Sequence, residues 1–233
     1  SGTVAGSYFN RNYYDWFETR GGGRLGLGYR LADDLSVGFM TRVENVEIED
    51  IRVPGIPDLD NVLGNNLIIG LQPSLTHDTR DFPFMPSEGH YFQASFEQVL
   101  GDFQYPRIEL DFRKYFLIMQ RPDGSGRHTL GLSIAAGWSG EDTPIFEHFF
   151  LGGATTLRGF TFRGASPMDN SVTVGGEFQI YGSAEYYFPL TADDMVKGVV
   201  FCDYGTVEEE VRIDWDEFRV APGFGLRLNI PAM

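Results

Sequence analysis

The feature that most constrains this chain is the one-by-one alternation of apolar and polar residues over long segments. In the segment 218–230 the even positions are all apolar, namely Phe218, Val220, Pro222, Phe224, Leu226, Leu228 and Ile230. The odd positions are polar or small, namely Arg219, Ala221, Gly223, Gly225, Arg227 and Asn229. Because successive side chains of a β-strand point to opposite faces, such a segment is predicted to be a strand with one apolar face.

The same alternation recurs in the segments 174–188 and 105–118; in the latter, Glu109 and Asp111 flank Leu110. It predicts ten strands, at 2–16, 23–31, 35–49, 64–77, 89–100, 105–119, 128–138, 172–188, 195–205 and 218–230. Several are about 11 to 15 residues long, against a common strand length of about 5 or 6 residues. Strands of that length can cross a membrane when they are tilted.

The polar face decides between a soluble sandwich and a membrane barrel. It mixes Arg, Glu, Gln, Tyr and Gly, which suits a water-filled lumen. No apolar run of about 18 residues occurs, so no transmembrane helix is predicted. Only helices and closed barrels satisfy every backbone group within lipid. The predicted fold class is therefore all-β, a transmembrane antiparallel β-barrel.

The connections between these strands fall into two classes. Three short turns, at 32–34, 121–127 and 191–194, lie on one side together with the somewhat longer stretch 78–88. The long connections 51–63, 139–171 and 206–217 lie on the other side. Short periplasmic turns and long extracellular loops are typical of outer-membrane barrels. The run from Arg20 to Arg24, with three glycines, is interpreted as a flexible connection between the first two strands.

The connection 139–171 contains a Gly- and Phe-rich stretch, 149–160, with Arg158 near its end. Loops of this length in compact domains are usually functional or disordered. This one is predicted to fold back onto a surface or into the lumen, where an arginine would need a carboxylate partner. Taken from the residues alone, a solvated loop arginine is the favoured interpretation.

Five stretches, in order along the chain, carry a family resemblance. Leu157-Arg158-Gly159-Phe160, preceded by Gly152-Gly153, resembles the (V/L)-R-G-F motif in the sixth extracellular loop of the BamA family of outer-membrane insertases, also called the bacterial surface antigen family. The other similar stretches are 78–89, 175–186 with its pair Gly175-Gly176, 201–205 and 222–227. The resemblance covers nearly all of the chain from about residue 64.

The resemblance implies a role for individual residues. In the family, the loop folds into the barrel and its arginine pairs with acidic residues of the inner wall. Carried over, Arg158 is the loop anchor and Asp203 its best partner, with Glu185 or Glu177 as alternatives. The remaining motif positions are glycines or apolar: Gly152, Gly153, Leu157, Gly159, Phe160, Gly175, Gly176 and Gly205.

The resemblance also sets expectations for the domain organisation. The family barrel has sixteen strands, so residues 1–233 are expected to be an incomplete barrel of about ten, lacking the first four and the last two. The inward loop is expected at about 139–171. The periplasmic POTRA domains of the family are expected to be absent.

The implied function is that of an assembly factor that inserts and folds β-barrel proteins in the bacterial outer membrane. Its expected partners are outer-membrane lipid, unfolded β-barrel client proteins and periplasmic or lipoprotein accessory subunits. Two alternatives stay open. One is a related two-partner secretion or translocation-assembly pore, and the other is a passive porin whose inward loop only constricts a channel.

Other function classes are disfavoured by the residues. The formal charge of −15 argues against a nucleic-acid partner, since phosphate binding needs clustered Lys and Arg. The chain has no G-x-S-x-G motif, and its four histidines are scattered without zinc spacing. We therefore expect no enzymatic activity, no catalytic residues, no metal site and no cofactor.

Overall fold

Ten long strands form one continuous antiparallel sheet. The computed structural model describes residues 1–13 and 15–228. The strands are β1 (Gly2–Asn12), β2 (Phe17–Arg30), β3 (Leu35–Glu49), β4 (Gly64–Asp78), β5 (Gly89–Gly101), β6 (Tyr105–Met119), β7 (His128–Ser139), β8 (Met168–Asp169), β9 (Val172–Thr173), β10 (Phe178–Pro189), β11 (Val196–Glu208) and β12 (Arg219–Leu228). Strands β8 and β9 are a two-residue hairpin apart from the large sheet.

The large sheet runs in sequence order, β1 to β7 and then β10 to β12, and every neighbouring pair is antiparallel. Within the described residues, β1 and β12 are not paired with each other, so the sheet is open. No helix in the described part of the chain is both long and apolar enough to cross a membrane. The prediction of an all-β, incomplete antiparallel barrel is confirmed.

The two faces of the sheet divide as the alternation predicts. The outer face exposes large apolar side chains on most strands, among them Val4, Leu27, Phe39, Leu110, Ile134 and Phe224. The inner face carries Arg42, Glu44 and Glu97 of β3 and β5, which are buried. An apolar outer band around a polar interior is the arrangement of a membrane barrel.

The first two strands differ in their bounds from the sequence-based prediction, since β1 ends at Asn12 and not at 16. The run from Arg20 to Arg24 is not a flexible connection but part of β2, which begins at Phe17 and pairs with β1 and β3 throughout. A Cβ at Gly22 would overlap the carbonyl oxygen of Val43 and lie 2.8 Å from the Cα of Glu44. Glycine is required there because β3 approaches closely, and not because the chain must be mobile.

The connection between β7 and β10, residues 140–177, is called the long loop below. It contains a 3₁₀ helix at Ile145–Glu147 and the β8–β9 hairpin. The prediction of one strand over 172–188 is wrong at its start, since Val172–Thr173 is the separate short strand β9 and β10 begins at Phe178. Phe149 and Gly176 instead exchange two backbone hydrogen bonds, at 2.8 and 3.1 Å, which close the base of the loop.

Two apolar clusters lie against the long loop. The larger joins Trp16, Ile48 and Val99 near the ends of β2, β3 and β5 to Ile145 and Phe146 of the loop. It also includes Leu59 of the short helix α1 (Pro57–Asp60). The smaller comprises Phe149, Leu151, Leu157 and Val207. Buried apolar contacts of this kind fix the position of a loop, because exposing them to water costs free energy.

Candidate functional site

The guanidinium of Arg158 lies on the carboxylate of Asp203, which β11 presents on the inner face. Arg158 Nε donates to Asp203 Oδ2 at 2.6 Å, and Nη2 donates to Oδ1 at 2.5 Å. The backbone N–H of Arg158 donates to the same Oδ2 at 3.0 Å. Two parallel side-chain bonds form the bidentate geometry that gives an arginine–carboxylate pair both strength and direction.

Strand β10 completes the surroundings of this pair. Arg158 Nη2 lies 2.5 Å from Glu185 Oε1 and donates to Ser183 Oγ at 3.0 Å. The Ser183 hydroxyl in turn donates to Asp203 Oδ1 at 2.6 Å, because these two residues are cross-strand partners. The guanidinium also lies 3.4 Å from the centroid of the Phe201 ring, a cation–π contact.

The electrostatics of this cluster favour the charged arginine. The hydrogen bonds to Asp203 raise the pKa of Arg158, and the neighbouring Glu185 adds to the effect. The side chain of Asp203 is only 3% exposed, whereas that of Arg158 is 21% exposed. Removing the arginine side chain would therefore leave a nearly dry carboxylate with one hydroxyl and one backbone N–H as partners and no opposite charge, which is costly.

Glu177 is not brought to Arg158, so its place among the alternative partners is wrong. It precedes β10, six positions before Ser183 (183 − 177 = 6). Six residues of extended chain span roughly 20 Å, at about 3.3 Å per residue. Burial raises the pKa of Glu177 to about 7, helped by the acidic neighbours Glu141, Asp58, Asp142 and Glu210.

The motif residues around Arg158 shape the turn that carries it. Leu157 is fully buried in the smaller apolar cluster, and Phe160 packs against that cluster. Gly153 N–H donates to the carbonyl of Leu157 at 3.2 Å. Gly152 has φ +119°, and a Cβ there would lie 2.6 Å from the carbonyl oxygen of Thr161. A side chain at position 152 would therefore prevent the loop from folding onto itself.

Three of the remaining motif glycines, Gly175, Gly176 and Gly205, lie at close approaches between neighbouring segments. A Cβ at Gly175 would lie 2.5 Å from the carbonyl oxygen of Phe149, and one at Gly176 would overlap Glu208. A Cβ at Gly205 would lie 2.5 Å from the Cβ of Tyr181 on β10. Gly159 has open space by comparison, with its nearest neighbour, the Cβ of Ala221, at 3.8 Å.

A second charged cluster, which the sequence analysis missed, lies between the long loop and strands β2 and β3. Glu147 Oε1 accepts from Arg20 Nη1 at 2.7 Å, and Glu147 Oε2 accepts from Arg42 Nη2 at 2.8 Å. Arg42 also binds Glu97 of β5 at 2.6 Å. Glu147 is separated from Arg20 by 127 positions, so no local motif points to this contact.

Two of the four histidines also come together, contrary to the expectation that they are scattered. His77 Nδ1 lies 2.8 Å from His90 Nε2, and His77 Nε2 lies 2.9 Å from Asp34. Among the described residues, no group of three or more His, Cys, Asp or Glu side chains is arranged to hold a metal ion.

The chain is similar to members of one superfamily over nearly its whole length. The Omp85 superfamily domain matches residues 3–233. The outer membrane protein assembly factor BamA of Nitratidesulfovibrio vulgaris is 25% identical over 234 residues, covering 97% of this chain and 29% of the relative. A SAM50-like protein of Schizosaccharomyces pombe is 29% identical over 143 residues, covering 58% of this chain and 29% of the relative.

Solved structures share the fold. BamA from Haemophilus ducreyi lacking POTRA domains 1–3 superposes with a TM-score of 0.78 at 15% identity, covering 99% of this chain and 52% of that one. CdiB from Acinetobacter baumannii gives a TM-score of 0.65 at 15% identity, covering 93% of this chain and 37% of that one. The chain thus spans 29% of the length of its curated relatives and about half, or less, of these structures.

Proposed function

The chain belongs to the Omp85 superfamily, and we propose that the protein is an assembly factor that inserts and folds β-barrel proteins in the bacterial outer membrane. The observation that carries the proposal is the ion pairing of Arg158 with Asp203 and Glu185. Arg158 belongs to the Leu157–Phe160 motif, which resembles that of the BamA family. The proposed partners are outer-membrane lipid, unfolded β-barrel clients and accessory subunits of the periplasm or of the lipoprotein class.

Insertion of this kind needs backbone hydrogen bonding and no covalent step. A strand edge with unpaired N–H and C=O groups can template an incoming strand, which adds to the sheet by main-chain hydrogen bonds. The long loop would hold the inner wall in its curved shape while strands at a seam exchange partners. In this proposal the protein is not an enzyme and requires no cofactor.

The test is reconstitution of the full-length protein into liposomes of outer-membrane lipid. An unfolded outer-membrane β-barrel protein is added, and its folding is followed by heat-modifiable gel mobility and protease protection. We expect faster folding than in protein-free liposomes, and slower folding with Arg158→Ala than with wild type. Equal folding rates with and without the protein would contradict the proposal.

A second candidate is a related two-partner secretion or translocation-assembly pore. The chain shares its fold with CdiB as well as with BamA, so the fold does not decide between the candidates. The same liposomes separate the candidates. Passage of an unfolded passenger into the lumen without its insertion into the bilayer would favour the transporter. A steady conductance that the loop only narrows, with neither insertion nor passage, would favour the passive porin.

A further inference from the structure

The long loop touches two parts of the inner wall that lie far apart in the sheet. Arg158 reaches β10 and β11, whereas Glu147 reaches β2 and β3. Strands β2 and β11 are seven strand steps apart in the sheet order, which is about 34 Å along the sheet at about 4.8 Å a step. Within the loop the two residues are eleven positions apart (158 − 147 = 11), so the loop crosses the concave interior.

The contact at Glu147 is as well formed as the one at Arg158. The side chain of Glu147 is 8% exposed, and its two oxygens receive separate arginines at 2.7 and 2.8 Å. Its backbone carbonyl accepts a third, from Arg107 Nη1 of β6, at 2.6 Å. Charged hydrogen bonds in a buried setting are stronger than neutral ones, so this residue is held on three sides.

The charges of the wall show that Glu147 is an addition to a set already balanced. Without the loop, the cluster on β2, β3 and β5 has three arginines and three glutamates, namely Arg20, Arg24, Arg42, Glu18, Glu44 and Glu97. The wall can therefore keep its own ion pairs when the loop glutamate is removed. A loss of Glu147 should be felt mainly by the loop.

A neighbouring contact supports the same crossing. The guanidinium of Arg163, farther along the loop, lies 4.2 Å from the centroid of the Tyr13 ring and 5.7 Å from that of Trp16, both between β1 and β2. It also lies 3.6 Å from the Phe150 ring of the loop itself. The loop is thus seated against the β1–β2 end of the sheet by side chains of two kinds.

We propose that Glu147 is a second anchor of the long loop, a positioning residue that ties it to β2 and β3 as Arg158 ties it to β10 and β11. The loop then acts as a strut that fixes the spacing between the two ends of the described sheet. Its consequence for client folding rests on the proposed function, but the anchor itself does not.

The experiment compares Glu147→Gln and Glu147→Asp in the full-length protein, in liposomes, by hydrogen exchange of the loop. The matched control is Glu141→Gln, since Glu141 lies in the same loop but is exposed. We expect Glu147→Gln to speed exchange at 145–151 by about tenfold to a hundredfold, as for loss of hydrogen bonds to a charged group. Glu147→Asp keeps the charge but not the reach to both arginines, so its effect should be intermediate.

Unchanged exchange at 145–151 in Glu147→Gln, relative to wild type and Glu141→Gln, would overturn the proposal. If Glu147→Gln does not fold, as judged by heat-modifiable mobility, the decision passes to Glu147→Asp: faster exchange supports the anchor and unchanged exchange overturns it. Client folding is measured separately on the same samples. Failure of the wild-type protein to fold clients would count against the proposed function and leave the exchange result to decide the anchor.

Discussion

At the scale of single residues, the contacts of Arg158 use the planar fork of its guanidinium. The guanidinium donates in parallel to both oxygens of Asp203 and also meets Ser183 and Glu185. Lysine offers a single ammonium group without this fork. The site therefore depends on arginine geometry as well as on positive charge.

Replacing Arg158 by alanine should loosen the long loop while leaving the strands in place. Breaking a buried pair by removing one partner costs roughly 3–5 kcal/mol, and the partial exposure of Arg158 points to the lower end of that range. Hydrogen exchange of residues 157–163 measures the loss. Arg158→Lys should recover only part of the protection, and a full recovery would show that charge alone suffices.

Gly70 gives a residue-scale prediction for the other cluster. A Cβ at this position on β4 would overlap Glu97 Oε1 and lie 2.8 Å from Arg42 Cγ, so the glycine makes room for their ion pair. Gly70→Val should lower the unfolding free energy by about 1–3 kcal/mol through overpacking. Gly23→Ala is the control, since its nearest neighbour would be 3.7 Å away. Equal melting temperatures for both variants would contradict this account.

At the scale of elements, the junction of the long loop and β10 carries a pH dependence. The pKa of Glu177 is raised to about 7, above its ordinary value, so the folded state disfavours the charged form. The junction should be most stable below about pH 4.5, the ordinary range of a glutamate, and should lose stability as the pH rises towards 7. Glu177→Gln should remove this dependence. The measurement is the hydrogen-exchange protection factor at 174–180, relative to the intrinsic rate at each pH, between pH 4.5 and 8. A wild-type junction without pH dependence would refute it.

The element pattern was the most predictable part of the molecule. A period of two residues identifies a strand and its apolar face without knowledge of its neighbours, and neighbours in a meander are also neighbours in sequence. The glycine run of β2 was not recognised as part of a strand, because the need for glycine comes from β3, where Val43 and Glu44 approach Gly22. Such a requirement belongs to the partner strand and leaves no mark on the strand that carries the glycines.

The site was predictable only as far as a motif reached. Resemblance pointed to Arg158 and Asp203, which the structure brings together, but it also offered Glu177, which the strand register keeps away. Glu147 had no such pointer, since its partners Arg20 and Arg42 lie 127 and 105 positions away. Arg42 lies within a predicted strand, whereas Arg20 was interpreted as part of a flexible connection, and no local pattern joined either of them to Glu147.

At the scale of the whole molecule, the outer face should tolerate charge far less than the inner face. Ile134 points outward on β7 and is 40% exposed, whereas its neighbour Ala135 is the cross-strand partner of Asp111 and Tyr181, which line a cavity of about 300 Å³ beside Arg158. Ile134→Arg should destabilise the membrane-inserted protein by about 2–4 kcal/mol if it lies near the bilayer midplane. Ala135→Arg should cost much less, because position 135 pairs across the sheet with Asp111. Equal urea midpoints in liposomes would argue against the assignment of faces.

The opposite signs of the two loop contacts have a consequence for how the chain can be threaded. The earlier residue, Glu147, is acidic and meets arginines, and the later one, Arg158, is basic and meets carboxylates. Were the segment laid down in reverse, Glu147 would face Asp203 and Glu185, while Arg20 and Arg42 would lose its carboxylate. Coulomb repulsion among these three carboxylates would disfavour that arrangement. The charges of the inner wall therefore favour one direction of the crossing segment over the other.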